Sequence, residues 1–142
     1  MSEEKLKFEV LPDTLGVSKL NSTQNIPQWA YQGSFFAITK TSDELSIVCP
    51  EMAIPEEVIC ERGWRALKIV GILDFSLIGI LSVVSTVLAN AGVSIFAIST
   101  YNTDYLLVKD MDLECALRAL RNESYIIVNN QVLEVKNENN SL

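Results

Sequence analysis

In the second half of the chain, apolar residues recur first at strand spacing, then at helix spacing, then at strand spacing again. Residues 64–73, with Ala66, Ile69 and Val70 among their apolar members, predict a strand. Asp74-Phe75-Ser76 then reads as a turn into a helix over 77–91, because Leu77, Leu81, Val84, Leu88 and Ala91 share one helical face while Ser82, Thr86 and Asn90 fall on or beside the other. Gly92 ends that helix as the glycine just past its last turn. Strand pattern resumes at 93–98, breaks at a polar turn, and continues over 105–108. A second helix opens at Lys109 or Asp110 and turns Leu113, Ala116, Leu117 and Leu120 inward. Asp112 and Glu114 near its start, with Arg118 and Arg121 near its end, complement its dipole. Residues 125–128 supply a closing strand. The order βαββαβ is the ferredoxin-like pair of right-handed crossovers, one sheet with two helices on one face, over roughly residues 64–129.

The first half repeats this outline. Phe36-Ala37-Ile38-Thr39 matches Phe96-Ala97-Ile98-Ser99 at an offset of 60 without a gap, and residues 42–48 then lie over 102–108, so each copy reads as a hairpin. Ahead of the first hairpin, residues 15–20 form a strand, but Asn21-Ser22-Thr23-Gln24-Asn25-Ile26-Pro27 stands where a helix would follow, leaving room for one turn around 28–31. Behind it, residues 55–62 are expected as a helix, with Pro55 in its first position and Gly63 just past its end. Three segments compete to close the first sheet: 6–10, 64–70 and 131–135. The fold class is therefore α+β, two ferredoxin-like units of which the first has a degenerate first helix. Their expected bounds are 1–62 and 63–129, followed by a polar tail over 130–142 in which 131–135 is the candidate strand.

Composition narrows the function. The 142 residues are 49% hydrophobic, enough for one core or two small units sharing one, and carry a net charge of −7. The 11 Lys and Arg are scattered, so nucleic acid is not an expected partner. The uncharged run 75–98 exceeds the roughly 18 residues that make a membrane candidate, but Asn90-Ala91-Gly92 interrupts it and the two-part pattern favours a helix followed by a buried strand. No membrane partner is expected. Met1 to Lys7 carries mixed charge with no apolar core of a secretory signal, and Cys49, Cys60 and Cys115 read as thiols of a reducing compartment, so a cytoplasmic location is expected. The chain has no histidine, Cys49 and Cys60 are poorly spaced for zinc, and no Gly-rich phosphate loop is present. Neither an enzyme, a metal site nor a cofactor is expected. Trp29 and Trp64 are assigned to core or interface.

Three stretches carry a family resemblance: Glu44-Leu45-Ser46-Ile47-Val48-Cys49-Pro50-Glu51, Glu61-Arg62-Gly63-Trp64-Arg65-Ala66-Leu67, and Leu73-Asp74-Phe75-Ser76-Leu77-Ile78-Gly79-Ile80-Leu81 leading to 95–105. With them the chain resembles the tandem ACT-domain proteins of the small bacterial amino-acid-binding type and, more distantly, the cytosolic arginine sensors of animals. The resemblance spans about residues 10–128. It implies units that pair sheet edge to sheet edge, an effector held near that junction, no catalysis, and a homodimer presenting four units. The polar, Pro-interrupted stretch where the first unit's helix would lie departs from the family pattern and puts a ligand site in that unit in doubt.

Within that frame the candidate ligand residues fall in two groups. Asp74, Phe75, Ser76, Leu77, Ile78 and Gly79 form the strand-to-helix turn, where free backbone N–H groups can receive a carboxylate and Gly79, placed in the first helical turn, lets a ligand come close. The competing structural reading is that Asp74 or Ser76 caps the helix. Ser99, Thr100, Tyr101, Asn102, Thr103 and Asp104 form the second hairpin's turn. There Asp104 suits an ammonium or guanidinium group and Ser99 or Thr100 a hydroxyl contact, against the reading that these are ordinary turn residues. The two groups are expected to meet only if a neighbouring unit brings the hairpin up. The expected function is an effector sensor that binds an amino acid or similar metabolite and is read by a protein partner; the alternative is a ligand-free interaction or assembly module.

Overall fold

The computed structural model describes residues 6–70 and 79–129. Its elements are β1 (Lys7–Leu20), β2 (Ala37–Lys40), β3 (Leu45–Pro50), β4 (Ile59–Val70), α1 (Ile80–Asn90), β5 (Phe96–Ser99), β6 (Asp104–Lys109), α2 (Leu113–Asn122) and β7 (Ile126–Asn129), with short 3-10 turns at Gln28–Tyr31, Glu51–Ala53 and Asp110–Asp112. The chain divides into a unit of Asp13–Trp64 and a unit made of the described residues on either side of it. The boundaries fall inside β1 and β4, so each of these long strands contributes one part to each unit.

In the unit of Asp13–Trp64 the strand order is β2-β3-β1-β4. β3 runs antiparallel to both neighbours, pairing Gly16 with Cys49 on one side and Ile38 with Ile47 on the other. Its core is Leu45, Ile47 and Cys49, closed by Ala30 and Ile54 with Trp29 packed against them. Both crossovers are reduced to 3-10 turns. Pro27 holds φ −73 and ψ 156 immediately before Gln28–Tyr31, and only Ala30 of that turn is buried.

The helix expected over 55–62 does not form. Residues from Ile59 onward are strand, and the preceding turn is pinned to them: the Arg62 guanidinium donates to the carbonyls of Glu51, Ile54 and Pro55 at 2.8, 3.1 and 3.3 Å, and the Gly63 N–H donates to Glu51 Oε1 at 2.9 Å. A helix so short has little stability of its own. Val58 and Ile59 favour extended backbone, and these tertiary bonds decide the outcome. Gly63 has a positive φ, but inside β4 rather than beyond a helix. The early part of β4 thereby closes the first sheet. Residues 6–10, one of the segments considered for that place, serve the other unit, and residues 131–135 lie outside the described residues.

In that other unit the order is β7-β1-β4-β6-β5, with β7 parallel to β1 through Lys7↔Ile126 to Val10↔Asn129. Alternate residues Phe8 and Val10, Leu67 and Ile69, Leu106 and Val108 face a common core with Val84 and Leu88 of α1 and Ala116, Leu117 and Leu120 of α2. That is the α+β arrangement read from the sequence, with the start of the chain inserted between β4 and the closing strand. Gly92 ends α1 with φ +79, and among the described residues no helix is long and apolar enough to cross a membrane.

The hairpins share a geometry that sharpens the repeat. Lys40 pairs with Leu45 and Ser99 with Asp104 across four-residue turns, so turn falls on turn one residue short of the gapless sequence match. Thr41 and Thr100 then coincide. Each donates its N–H to the carbonyl three residues on, at 2.9 and 2.8 Å, and turns its hydroxyl onto the same carbonyl.

Candidate functional site

Of the strand-to-helix turn, Gly79 is described; Asp74, Phe75, Ser76, Leu77 and Ile78 lie outside the described residues, as does the first part of the helix expected from 77. Gly79 is not in the first helical turn. It precedes it, as the N-cap, in the left-handed conformation at φ +87, with no side-chain cap and its carbonyl accepting the Val83 N–H at 2.9 Å. Ile80 and Leu81 turn into the core, and Val84 and Leu88 anchor the helix below them. A helix begun this way leaves its first N–H groups without a capping side chain, the condition under which an anion can be received.

The hairpin turn is built by its two threonines. Thr100 Oγ1 donates to the Thr103 carbonyl at 3.0 Å and accepts the Thr103 N–H at 3.3 Å, which commits its one O–H and one of its two lone pairs within the turn. Thr103 Oγ1 donates to the Ile69 carbonyl at 2.6 Å. Ile69 is the penultimate residue of β4, the strand whose connection leads to α1. Both residues belong to one unit, so the hairpin reaches that strand end without help from a neighbouring unit.

Tyr101 is fully exposed and Asn102 exposed, while Asp104 is half-buried at the start of β6 opposite Ser99. Among the described residues no hydrogen bond or ion pair engages the side chains of Ser99, Tyr101, Asn102 or Asp104. Sequence reasoning placed Thr100 and Thr103 with the ligand residues. The structure gives their hydroxyls to the fold, a role that the matching Thr41 could have signalled.

Among the described residues, two of the open clefts lie elsewhere and are lined by none of the candidate residues. One, of about 570 Å³, runs beside the end of α1 past Ser85, Gly92 and Ser94; the other, of about 350 Å³, lies between Lys19, Ser22, Asp43 and Ile59. Among the described residues no group of three or more acidic, cysteine or histidine side chains could hold a metal ion. Burial pushes the Cys49 thiol up to about 11, helped by nearby Cys60, and burial also raises the Cys60 thiol. Both are therefore protonated near neutrality and poor nucleophiles.

Sequence reasoning also passed over Arg65. It is buried in β4, donates to the Leu11 carbonyl at 3.1 Å and pairs with Asp110 at 3.3 Å. A buried cation requires such partners, and these hold β4 to β1 and to the turn that precedes α2.

Residues 59–122 match the family model of the ACT domain, and a model for an N-terminal domain matches 13–57. The human protein CASTOR3P is 31% identical over 106 residues, 66% of this chain and 65% of that protein, so the match spans just under two thirds of that relative. Among solved structures, protein Atu0741 from Agobacterium tumefaciens is 36% identical with a TM-score of 0.84, over 89% of this chain and 95% of that one. The regulatory subunit of aspartate kinase from Thermus thermophilus shares the fold at a TM-score of 0.54 and 15% identity, over 80% of this chain and 95% of its own. With the sheet order, the crossover helices and these matches in agreement, residues 59–122 of the chain form an ACT domain.

Proposed function

We propose that this chain is a regulatory protein without catalytic chemistry of its own, which binds a small effector, an amino acid, at the end of β4 in the unit that carries α1 and α2. The observation that carries the reading is the bond from Thr103 to Ile69, because it brings the hairpin turn to the strand end from which the chain proceeds to the uncapped start of α1. Two recognition elements then serve one zwitterion: N–H groups after Gly79 for its carboxylate, and Asp104 for its ammonium or guanidinium group. Asp74, Phe75, Ser76, Leu77 and Ile78 are assigned to the same pocket, with Ser99, Tyr101 and Asn102 at its mouth. The match of residues 59–122 to the ACT domain supports an effector role, and likeness of fold to regulatory subunits of aspartate kinase is consistent with it. We place the protein in the cytoplasm as a homodimer, in which binding acts on a partner by favouring one arrangement over another, as any such switch requires.

Thermal unfolding against the twenty amino acids tests this. A true effector at a hundred times its dissociation constant adds about 2.7 kcal/mol, and Asp104→Ala should weaken a cationic effector more than a neutral one. A flat panel would favour a ligand-free assembly module, a reading to which the exposed Ile126 and Val128 of β7 lend support.

A further inference from the structure

Apart from Met1, the chain has two methionines, and both occupy the same place in the repeat. Met52 is the middle residue of the 3-10 turn Glu51–Ala53, which follows β3; Met111 is the middle residue of the turn Asp110–Asp112, which follows β6. Each is almost wholly exposed, at 94% and 84%.

Neither turn is free to fold its methionine inward, since the acidic residue before it is tied to β4. Glu51 accepts the Gly63 N–H on its carboxylate and an Arg62 N–H on its backbone carbonyl, at 2.9 and 2.8 Å. Asp110 accepts Arg65 at 3.3 Å. The inward neighbours are also taken, by Ile54 in one unit and by Leu113 in the other. An unbranched apolar side chain is thus held in solvent twice, by parallel means, in halves that have otherwise diverged in sequence.

The structure assigns Met52 and Met111 as a built pair of surface modification sites, oxidised to methionine sulfoxide by hydrogen peroxide and restored by methionine sulfoxide reductases, which take two electrons and two protons from a dithiol, leaving it a disulfide, and release the oxygen as water. The thioether lone pair forms the S–O bond as the peroxide O–O bond breaks; the released hydroxide takes the remaining proton and leaves as water. Sulfur loses two electrons, and the two peroxide oxygens gain one each. The product is a polar side chain where an apolar one stood, and because both anchors lie in the preceding acid, the fold keeps its bonds.

The test uses the full chain, folded and in urea, treated with hydrogen peroxide and followed peptide by peptide in the mass spectrometer. Each methionine should gain one oxygen at a folded rate within about twofold of its unfolded rate, the circular dichroism should not change, and a mixture of A- and B-type reductases supplied with excess dithiothreitol should remove both oxygens. Met52→Leu and Met111→Leu should each lose one modification and leave the other's rate unaltered. Folded rates about tenfold below the unfolded ones, unfolding on oxidation, or failure of the reductases to restore both sites would overturn the assignment.

Discussion

At the level of single residues, Gly79 does more than leave space. Its φ of +87 is one that a side chain resists, although among the described residues nothing lies within 4 Å of where a Cβ would stand. The cost of replacing it is therefore conformational. Gly79→Ala should destabilise the protein by about 1 kcal/mol, and Gly79→Asn by less, because asparagine tolerates the left-handed region. Urea unfolding measures both, and equal costs would contradict the conformational account. A larger residue at 79 consequently tests folding as well as binding. Cys49 gives a pH dependence. Its native thiol titrates near 11 and its unfolded thiol near 9, so in that interval the unfolded state has lost a proton the native state retains. Stability must then fall as pH rises from about 9 to about 11, and below that window this group adds no pH dependence. Cys49→Ala should flatten the alkaline arm of the stability profile relative to the wild type; an unchanged slope would show that the thiol plays no part.

Among elements, the hairpins were legible because a period of two interrupted by polar turns has no helical alternative, and α2 because Leu113, Ala116, Leu117 and Leu120 recur at helical spacing. The crossover after β3 was not. Pro55 and Gly63 bracket a stretch of helix-like length, and nothing local announces that Arg62 will collect three carbonyls from the preceding turn. The candidate site divides in the same way. Its hairpin half was proposed from polarity, while the division of labour within it, threonine hydroxyls to the fold and Asp104 without a side-chain partner among the described residues, depends on a bond to Ile69 more than thirty residues away. Thr103→Val removes that bond while keeping the side chain's shape. It should cost about 1 kcal/mol and speed amide exchange at residues 100–103; exchange unaltered there would mean that the hairpin is held by other contacts.

For the molecule as a whole, β1 is the element that sequence reasoning undervalued. Phe8 and Val10 are completely buried in the core formed with α1 and α2, whereas the expected boundary near residue 62 assigned them to the other unit. An alternating segment declares that one of its faces is buried but not against what. Deleting the chain up to Pro12 should therefore unfold the unit of residues 65–129 and leave the methyl resonances of Leu45 and Ile47 near their native shifts. Phe8→Ala alone should cost about 3 to 5 kcal/mol. A truncated chain with native α1 and α2 resonances would refute this placement.

The pairing of Lys7 with Ile126 also sets a schedule for synthesis. Chains emerge from the ribosome N-terminus first and their domains usually complete in that order. Here Asp13–Trp64 can close as soon as β4 has emerged, but the strand made before it has no partner in β7 until nearly the last described residue is translated. Until α1 and α2 are also made, Phe8 and Val10 lack the helices that cover them in the finished core, and a chaperone that recognises short apolar segments would find its target in residues 8–10.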